Sequence, residues 1–519
     1  MPISVHDAHG EREQFKKWYH TLSEDGELLY AGRLLSRASR EFGDSIAFLY
    51  KDQTITFAQL YDRVCSFVPV LKKHDVQKGD RVLICFENTP EFYIAYFAVW
   101  QAGAVVIPVN TFLRETELGH IVHDAQPKVI ITATDRVPFF SGTQKSILTE
   151  QDMSQSAQKD EDCIDLSLDE ACILLYTSGT TGVPKGVMLS SRAIVTNVLQ
   201  SIVRLNLASV KNERLFAVLP LFHVFAQNTC IWAVVITGVT VILVPKIDRR
   251  LILQNLQHKP TFFLGVPALY GLLCLLKTAP LDSVNYFISG GDALPDKIRA
   301  AFGLIYRRKI CSGYGLTETG PVISVDLEDE TGPTGIVGMP VVDVQCMVRD
   351  PEGNDLPQGS IGLLWVKGPN LMLGYYNEPE LTHATLQNGW FNTGDLGYIT
   401  RKGKIVITGR EKDLIIHKGF NIYPQEIENI ILLHPTVIRV GVVQKKDPET
   451  GEIPIAFVQL RTAEDAIEEK LKSLCLHHLA SYKVPRQFIC TTEELPVTAT
   501  GKVDKKVLRK MVDEGREIK

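Results

Sequence analysis

Between Lys128 and Asp292 six short apolar runs recur, "KVIITAT", "ACILLYT", "RLFAVLPLF", "VTVILVP", "TFFLGVP" and "YFISGGD", with longer helical patterns between them. Strand-like runs that alternate with helices close into layers, sheet against helix, with largely parallel strands. Several of the runs end in Gly-rich or polar turns, at Gly179, His223, Pro267 and Gly290. Ligands of open α/β sheets sit beyond the carboxyl ends of the strands, so these turns are where a site is expected.

A chain of 519 residues exceeds the size at which one core keeps growing, so at least two domains are expected. Hydrophobic residues make up 45% and charged ones 22%, an ordinary globular balance that argues against disorder. The formal net charge of -5 and the lack of a long basic run exclude a nucleic-acid footprint, so any anion is bound locally. The first residues carry no apolar signal-peptide core and "EIK" is no peroxisomal address, which makes the cytoplasm the expected location. Two apolar stretches, from Phe92 and from Thr229, contain Gln101 or interior glycines and end at prolines. They read as buried helix-strand pairs, not membrane spans. Ten cysteines from Cys65 to Cys490 form no CxxC pair and read as reduced core residues.

The polar tract Gln151 to Asp165 reads as a surface loop, since strand-like runs continue on both sides. From Val341 the pattern changes to short strands with tight turns, and "GREKD" then leads into a compact β/α segment. The expected fold is α/β: a large N-terminal domain, 1–411, of layered sheets flanked by helices, and a small mobile C-terminal α+β domain, 412–519. Within the latter, "YPQEIENIILLHP" places Ile427, Ile430, Ile431 and the flanking leucines on one helical stripe.

The stretch "YTSGTTGVPKG", Tyr176 to Gly186, sets three glycines, four Ser and Thr hydroxyls and a lysine directly after a buried strand. Such a loop can curl so that N–H groups and hydroxyls converge on one anion, as a phosphate cradle does. It is not a Walker A loop, because Gly186 follows Lys185 where Ser or Thr is needed. In "SGYGLTETGP" Glu318 is the only acid. A carboxylate beside a phosphate loop makes sense with a divalent cation between them, since like charges at about 4 Å repel by about 4 kcal/mol at an effective dielectric of 20.

The motifs "YTSGTTGVPKG", "GYGLTE", "NTGDLGYI", "GREKDLIIHKGFNIYPQEIE" and "PVTATGKVDKK" stand here in the order of the adenylate-forming superfamily, and from Asp44 to Lys502 the chain resembles an acyl-CoA synthetase, most of all a fatty acyl-CoA ligase. The resemblance implies two steps: a carboxylate attacks the α-phosphate of ATP to give acyl-AMP and pyrophosphate, then a thiol attacks the acyl carbonyl. It implies that Thr177, Ser178, Gly179, Thr180, Thr181, Gly182 and Lys185 hold the terminal phosphates, and that Thr177 and Glu318 carry Mg2+. Gly290, Gly291 and Asp292 correspond to the segment along adenine. Gly313, Tyr314, Gly315, Leu316 and Thr317 lead to Glu318, with Tyr314 on the other ring face. Asp395 corresponds to the ribose acceptor and Arg410 to a residue at the ribose or phosphate end; Asn392 stands where many relatives have His.

Lys502 is implied as the catalytic ammonium that bridges the attacking carboxylate and the α-phosphate. Lys412 matches the hinge of the small domain, and Lys418 and Gly419 the face of the coenzyme A tunnel, where His417 replaces a smaller residue. His223 and Phe225 stand where amino-acid-activating relatives present an Asp, so no carboxylate is available for a substrate ammonium. Phe222, His223, Phe225, Trp232 and Val234 to Ile236 suggest an apolar acyl tunnel that His223 gates, while aromatic residues at this spacing also make plain core. The expected substrates are ATP, a medium- to long-chain fatty acid and coenzyme A. A carrier-protein phosphopantetheine as acceptor, an aryl acid as substrate, and an inactive acyl or nucleotide sensor remain as alternatives. A homodimer and peripheral membrane contact stay open.

Overall fold

The computed structural model describes residues 8–154, 159–178, 184–206, 213–327, 335–418, 420–448, 450–498 and 502–514. Among them the chain forms a seven-stranded sheet, a fourteen-stranded sheet, a two-stranded ribbon near the start and a five-stranded sheet that begins at Ile415. The two large sheets and their helices make the large N-terminal unit. The five-stranded sheet, with helices Pro424–Ile431, Ile467–His478 and Lys505–Asp513, makes the smaller C-terminal one.

The centres of both large sheets are parallel, as the alternating runs imply. Arg81–Cys85 lies between Val105–Pro108 and Val129–Thr132. In the other sheet Thr240–Leu243, Arg214–Ala217, Phe262–Gly265 and Tyr286–Ser289 pair in that order. The flanks depart from expectation and are antiparallel: Pro184–Ser190 folds back on Ala171–Ser178, and Val322–Asp326 on Cys311–Gly315. The links there are too short for a crossover helix, and antiparallel pairing is the geometry a tight connection permits.

The apolar stretch from Phe92 becomes helix Pro90–Gln101 and strand Val105–Pro108, and the one from Thr229 ends in strand Thr240–Leu243. Helix Pro90–Gln101 is buried on nearly every side, the signature of a core helix. Its polar tips find partners: Trp100 Nε1 donates to the Cys172 carbonyl at 2.9 Å and Tyr93 Oη to that of Cys230 at 2.8 Å. No described helix is long and apolar enough to cross a membrane.

Of the tract 151–165, residues 159–165 run over the surface of the large unit, tied down by Ile164 N–H to the Gln101 carbonyl and by Arg33 to Asp165, while Met153 is buried; residues 155–158 lie outside the described residues. In the small unit Pro424 opens its helix at a position where the missing N–H costs nothing, and Ile427 and Ile431 are buried with Ile430 and Leu432 against them. Leu433 departs from the expected stripe and is exposed, because the helix has already ended at Ile431. All ten cysteines are free thiols, six of them buried; burial pushes the Cys230 thiol up to about 12.

Candidate active site

Apolar strand Ala171–Ser178 is held from one side by parallel pairing to Val105–Pro108 and from the other by Pro184–Ser190. The antiparallel register sets Thr177 opposite Lys185 at the turn end of this hairpin. Ser178 closes the strand, and Gly179, Thr180, Thr181 and Gly182 lie outside the described residues. Just before Thr177, Tyr176 Oη donates to Asp124 Oδ2 at 2.5 Å, which fixes the hairpin to helix Glu115–Ala125.

Parallel pairing of Tyr286–Ser289 with Cys311–Gly315, Ser289 beside Ser312, brings Gly290, Gly291 and Asp292 next to Gly313, Tyr314 and Gly315 at the strand ends. Gly315 is obligatory: a Cβ there would stand 1.8 Å from the Pro321 carbonyl oxygen. The chain then turns through Thr317–Thr319, with Leu316 N–H donating to Thr319 Oγ1 at 3.0 Å. In that turn the Glu318 carbonyl accepts from Met372 N–H, and its Oε1 accepts from Tyr375 Oη, both at 2.9 Å. Burial holds the Glu318 carboxyl above the usual range, against the pull of the Tyr375 bond and of Arg410. Such an anion gains from any cation placed beside it.

Asp395 is 2% exposed and doubly engaged: Tyr314 Oη donates to Oδ2 at 2.6 Å and Arg410 Nε to Oδ1 at 2.8 Å. Its register opposite Arg410 on strand Ile405–Arg410 makes the ion pair a product of sheet geometry. The Asp395 charge raises the Arg410 guanidinium further, and burial with the same charge holds the Tyr314 phenol well above its usual range. Asn392 Oδ1 accepts from Gly394 N–H at 3.0 Å, inside strand Trp390–Ile399, just before Asp395.

Lys502 reaches this face from the C-terminal unit. Thr498 N–H donates to the Lys502 carbonyl at 2.7 Å and Lys502 N–H to Thr498 Oγ1 at 3.3 Å, and Lys502 Nζ stands 4.0 Å from Asp292 Oδ1. His223 caps the short helix Val224–Ala226, its Nδ1 accepting from Phe225 N–H at 3.3 Å. Burial first, and the Lys502 charge second, lower its pKa to about 4, so the ring is neutral above pH 5. Phe225 lies across Gly290, where a Cβ would stand 3.1 Å from its ring.

Phe222 and His223 are half-buried beside it, but Trp232 is not a tunnel wall. Its ring has no accessible surface and its Nε1 donates to Tyr96 Oη at 3.0 Å, while Val234, Val235 and Ile236 are buried with it. They are packed core, because Tyr96 offers the indole N–H a buried partner. Lys412 sits in the turn Glu411–Asp413 between the last large-unit strand and the small sheet, its carbonyl accepting from Arg509 and its ammonium pKa lowered chiefly by burial. Lys418 turns the hairpin of Ile415–His417 and Phe420–Ile422 at φ 50°, its N–H bonded to the Thr450 carbonyl; Gly419 lies outside the described residues. His417 is buried, with Nδ1 2.7 Å from the Glu452 carbonyl, and packs its own sheet.

Sequence reasoning missed Tyr375, Tyr176 and Asp124; the paired tyrosines of "GYYN" were the available signal. Among the described residues no cluster of three His, Cys, Asp or Glu could cage a metal. One carboxylate with hydroxyls nearby is the donor set of Mg2+, which keeps most of its ligands from water and phosphate, and not that of zinc.

Residues 35–376 match the model of the AMP-binding enzyme family, and residues 426–502 that of the AMP-binding enzyme C-terminal domain. A long-chain-fatty-acid–CoA ligase of Bacillus subtilis (strain 168) is 31% identical over 94% of this chain and 95% of its own. A feruloyl-CoA synthase of an Amycolatopsis species is 32% identical over 91% and 97%. The structure of O-succinylbenzoate coenzyme A synthetase from Bacillus subtilis in complex with ATP and magnesium ion superposes with a TM-score of 0.84 at 29% identity, covering 92% of this chain and 99% of that one. With family models over both units and named ligases along almost its whole length, the chain belongs to the AMP-binding enzyme family, as an AMP-forming ligase of carboxylic acids to coenzyme A.

Proposed function

We propose that the chain activates an apolar carboxylic acid, a medium- to long-chain fatty acid, with ATP, and transfers the acyl group to coenzyme A. The observation that carries this reading is Lys502: a lysine from the small unit is delivered to Asp292 and His223 on the large unit, on the face where the strand ends present Tyr314 and Asp395. In the first step an oxygen of the acid's carboxylate bonds to the α-phosphorus and the bond to the β-phosphate oxygen breaks, releasing pyrophosphate. Negative charge grows on the α-phosphoryl oxygens as it leaves the carboxylate, and the Lys502 ammonium is the group that can follow it. The hairpin from Thr177 to Lys185 takes the terminal phosphates, Gly290 to Asp292 and Tyr314 enclose the base, and Asp395 with Arg410 takes the ribose. Thr177 and Glu318 would hold Mg2+, which neutralises the polyphosphate that the carboxylate must approach.

In the second step the acceptor thiol attacks the acyl carbonyl and AMP leaves. Lys502 occupies the approach, so the small domain, 412–519, turns about Lys412 away from the large one, 1–411, and brings the Lys418–Gly419 face to the acceptor. The packed core around Trp232 gives weight to a second reading, a shorter or aryl acid held beside Phe225 and Gly290.

Pyrophosphate release with ATP, Mg2+ and a panel of graded fatty acids and hydroxycinnamic acids tests both. Fastest turnover on a longer fatty acid supports the first reading, and on an aryl acid the second; no release with any acid sinks the activity itself. Coenzyme A against carrier protein as acceptor then separates the two thiols.

A further inference from the structure

The segment 372–377, "MLGYYN", lies outside the motifs that define the site, yet it is bonded to two of them. Met372 N–H donates to the Glu318 carbonyl at 2.9 Å. Leu373 N–H reaches the Met188 carbonyl at 2.9 Å, Tyr376 N–H that of Gly186 at 2.7 Å, and Gly374–Tyr375 pairs as a strand with Pro184–Ser190. Asn377 Nδ2 donates to Asp124 Oδ1 at 3.2 Å, the carboxylate whose other oxygen accepts from Tyr176. Between these anchors Tyr375 Oη donates to Glu318 Oε1 at 2.9 Å, with Tyr375 N–H itself held by Thr382 Oγ1 at 2.8 Å.

We propose that Tyr375 is a positioning residue for Glu318: the strap 372–377 couples the phosphate hairpin to the metal-bearing carboxylate, and the tyrosine hydroxyl fixes which Glu318 oxygen faces the cation. The inference rests on the reading of Glu318 given above. A carboxylate on two rotatable carbons can turn about its terminal torsion at little cost, so a lone acid would meet the cation in several poses. One hydroxyl on Oε1 removes that freedom and commits the other oxygen. Because Gly374 and Tyr375 of the same strap are strand-paired to the hairpin, Glu318 and Lys185 keep a fixed spacing when either is loaded. Outer partners of metal-ligating carboxylates generally matter for affinity by about 10–100-fold.

Tyr375→Phe keeps the ring and deletes only the hydroxyl, so the fold is expected to persist, checked by an unchanged unfolding midpoint. Calorimetric titration of wild type and variant with Mn2+ plus a non-hydrolysable ATP analogue, and separately with metal-free AMP, supplies the readout. We expect a loss of about 10-fold or more for the metal–nucleotide complex, with AMP affinity within about twofold of wild type because AMP lacks the phosphates that recruit the cation. Equal affinity of both proteins for the metal complex overturns the proposal, and so does a parallel fall in AMP affinity, which marks general damage to the pocket. Failure of wild type itself to bind metal–nucleotide overturns the reading of Glu318 and this inference with it, an outcome distinct from failure of the variant alone.

Discussion

Asp395 and Lys502 face the same site from the two units of the chain, and their surroundings differ sharply. Asp395 is almost fully buried, with partners at 2.6 and 2.8 Å on separate oxygens, one of them set by strand register. Lys502 has a side chain 39% exposed, and its partner Asp292, 4.0 Å away, is 44% exposed. Contacts of the first kind are made when the protein folds and stay made. An ion pair of the second kind is worth about 0–1 kcal/mol and can be broken by thermal motion within a catalytic cycle. On the proposed function, the large unit is a rigid receptor for the nucleotide, and Lys502 is brought to it on an element that can leave. The proposed two steps, one needing Lys502 and the next its absence, ask for that division.

If the division is real, damage to the receptor appears as lost stability and damage to the arm as lost chemistry. The largest stability effect is expected at Asp326, which ends the strand beside Tyr314 and pairs with Lys404 at 3.4 Å, both side chains about one-twentieth exposed at 5% and 6%. Asp326→Ala takes the carboxylate from a buried ion pair and should cost up to about 3–5 kcal/mol of unfolding free energy, read from the urea midpoint. An unchanged midpoint would mean that this wall is not rigid. Lys502→Ala should leave the midpoint alone and slow acyl-AMP formation by about 10²-fold or more, the scale of one preorganised charge stabiliser. Thioester formation from supplied acyl-AMP should survive. Equal loss in both half-reactions would place Lys502 in the receptor and break the contrast.

The motif residues of this site were legible because each sits in a short stretch of unusual composition, and sheet register then gathers them: Thr177 meets Lys185, and Ser289, just before Gly290, meets Ser312. Their partners were not legible. Tyr375 is 57 residues from Glu318 and Tyr314 is 81 from Asp395, and no periodicity encodes which side chains meet across two sheets. Strand direction at the flanks escaped for a similar reason, since an apolar run has the same pattern whichever way its neighbour runs. The type and neighbours of Trp232 leave it open between a tunnel wall and plain core. Its role was decided by Tyr96, 136 residues away.

An intermediate effect is expected at His223, where the two units meet. Its folded pKa of about 4 lies below the ordinary 6.5, through burial and then Lys502. From about one pH unit above 6.5 both folded and unfolded rings are neutral and stability is flat. As pH falls from 6.5 toward 4 only the unfolded ring takes up a proton, so folding loses about 2 kcal/mol between pH 7 and pH 5. Urea unfolding of wild type and His223→Asn at the two pH values isolates this part: the variant should lose less by about that amount. Lys502→Ala should recover a fraction of it. Identical pH slopes in wild type and His223→Asn would mean that the imidazole is hydrated in the folded protein and that this boundary is open to water.

The smallest effect is expected at Asp292, and it is the sharpest test of the contrast because the site's two kinds of contact meet there. Asp292 belongs to the loop after strand Tyr286–Ser289, where its Oδ1 accepts from Ala293 N–H at 2.9 Å, and the same oxygen meets Lys502 at 4.0 Å, the long end of an ion-pair distance. If that contact merely greets the arm, Asp292→Asn should change the rate of acyl-AMP formation by less than about fivefold, in keeping with a partly exposed pair worth under about 1 kcal/mol. The difference from wild type should shrink as salt is raised from about 0.01 M to about 0.15 M, since exposed charges are screened over that range. A loss as deep as that of Lys502→Ala, and insensitive to salt, would show instead that Asp292 holds the ammonium in a desolvated pocket when the nucleotide is bound. The arm would then be locked by the receptor, and its release, not the chemistry, would set the pace of the second step.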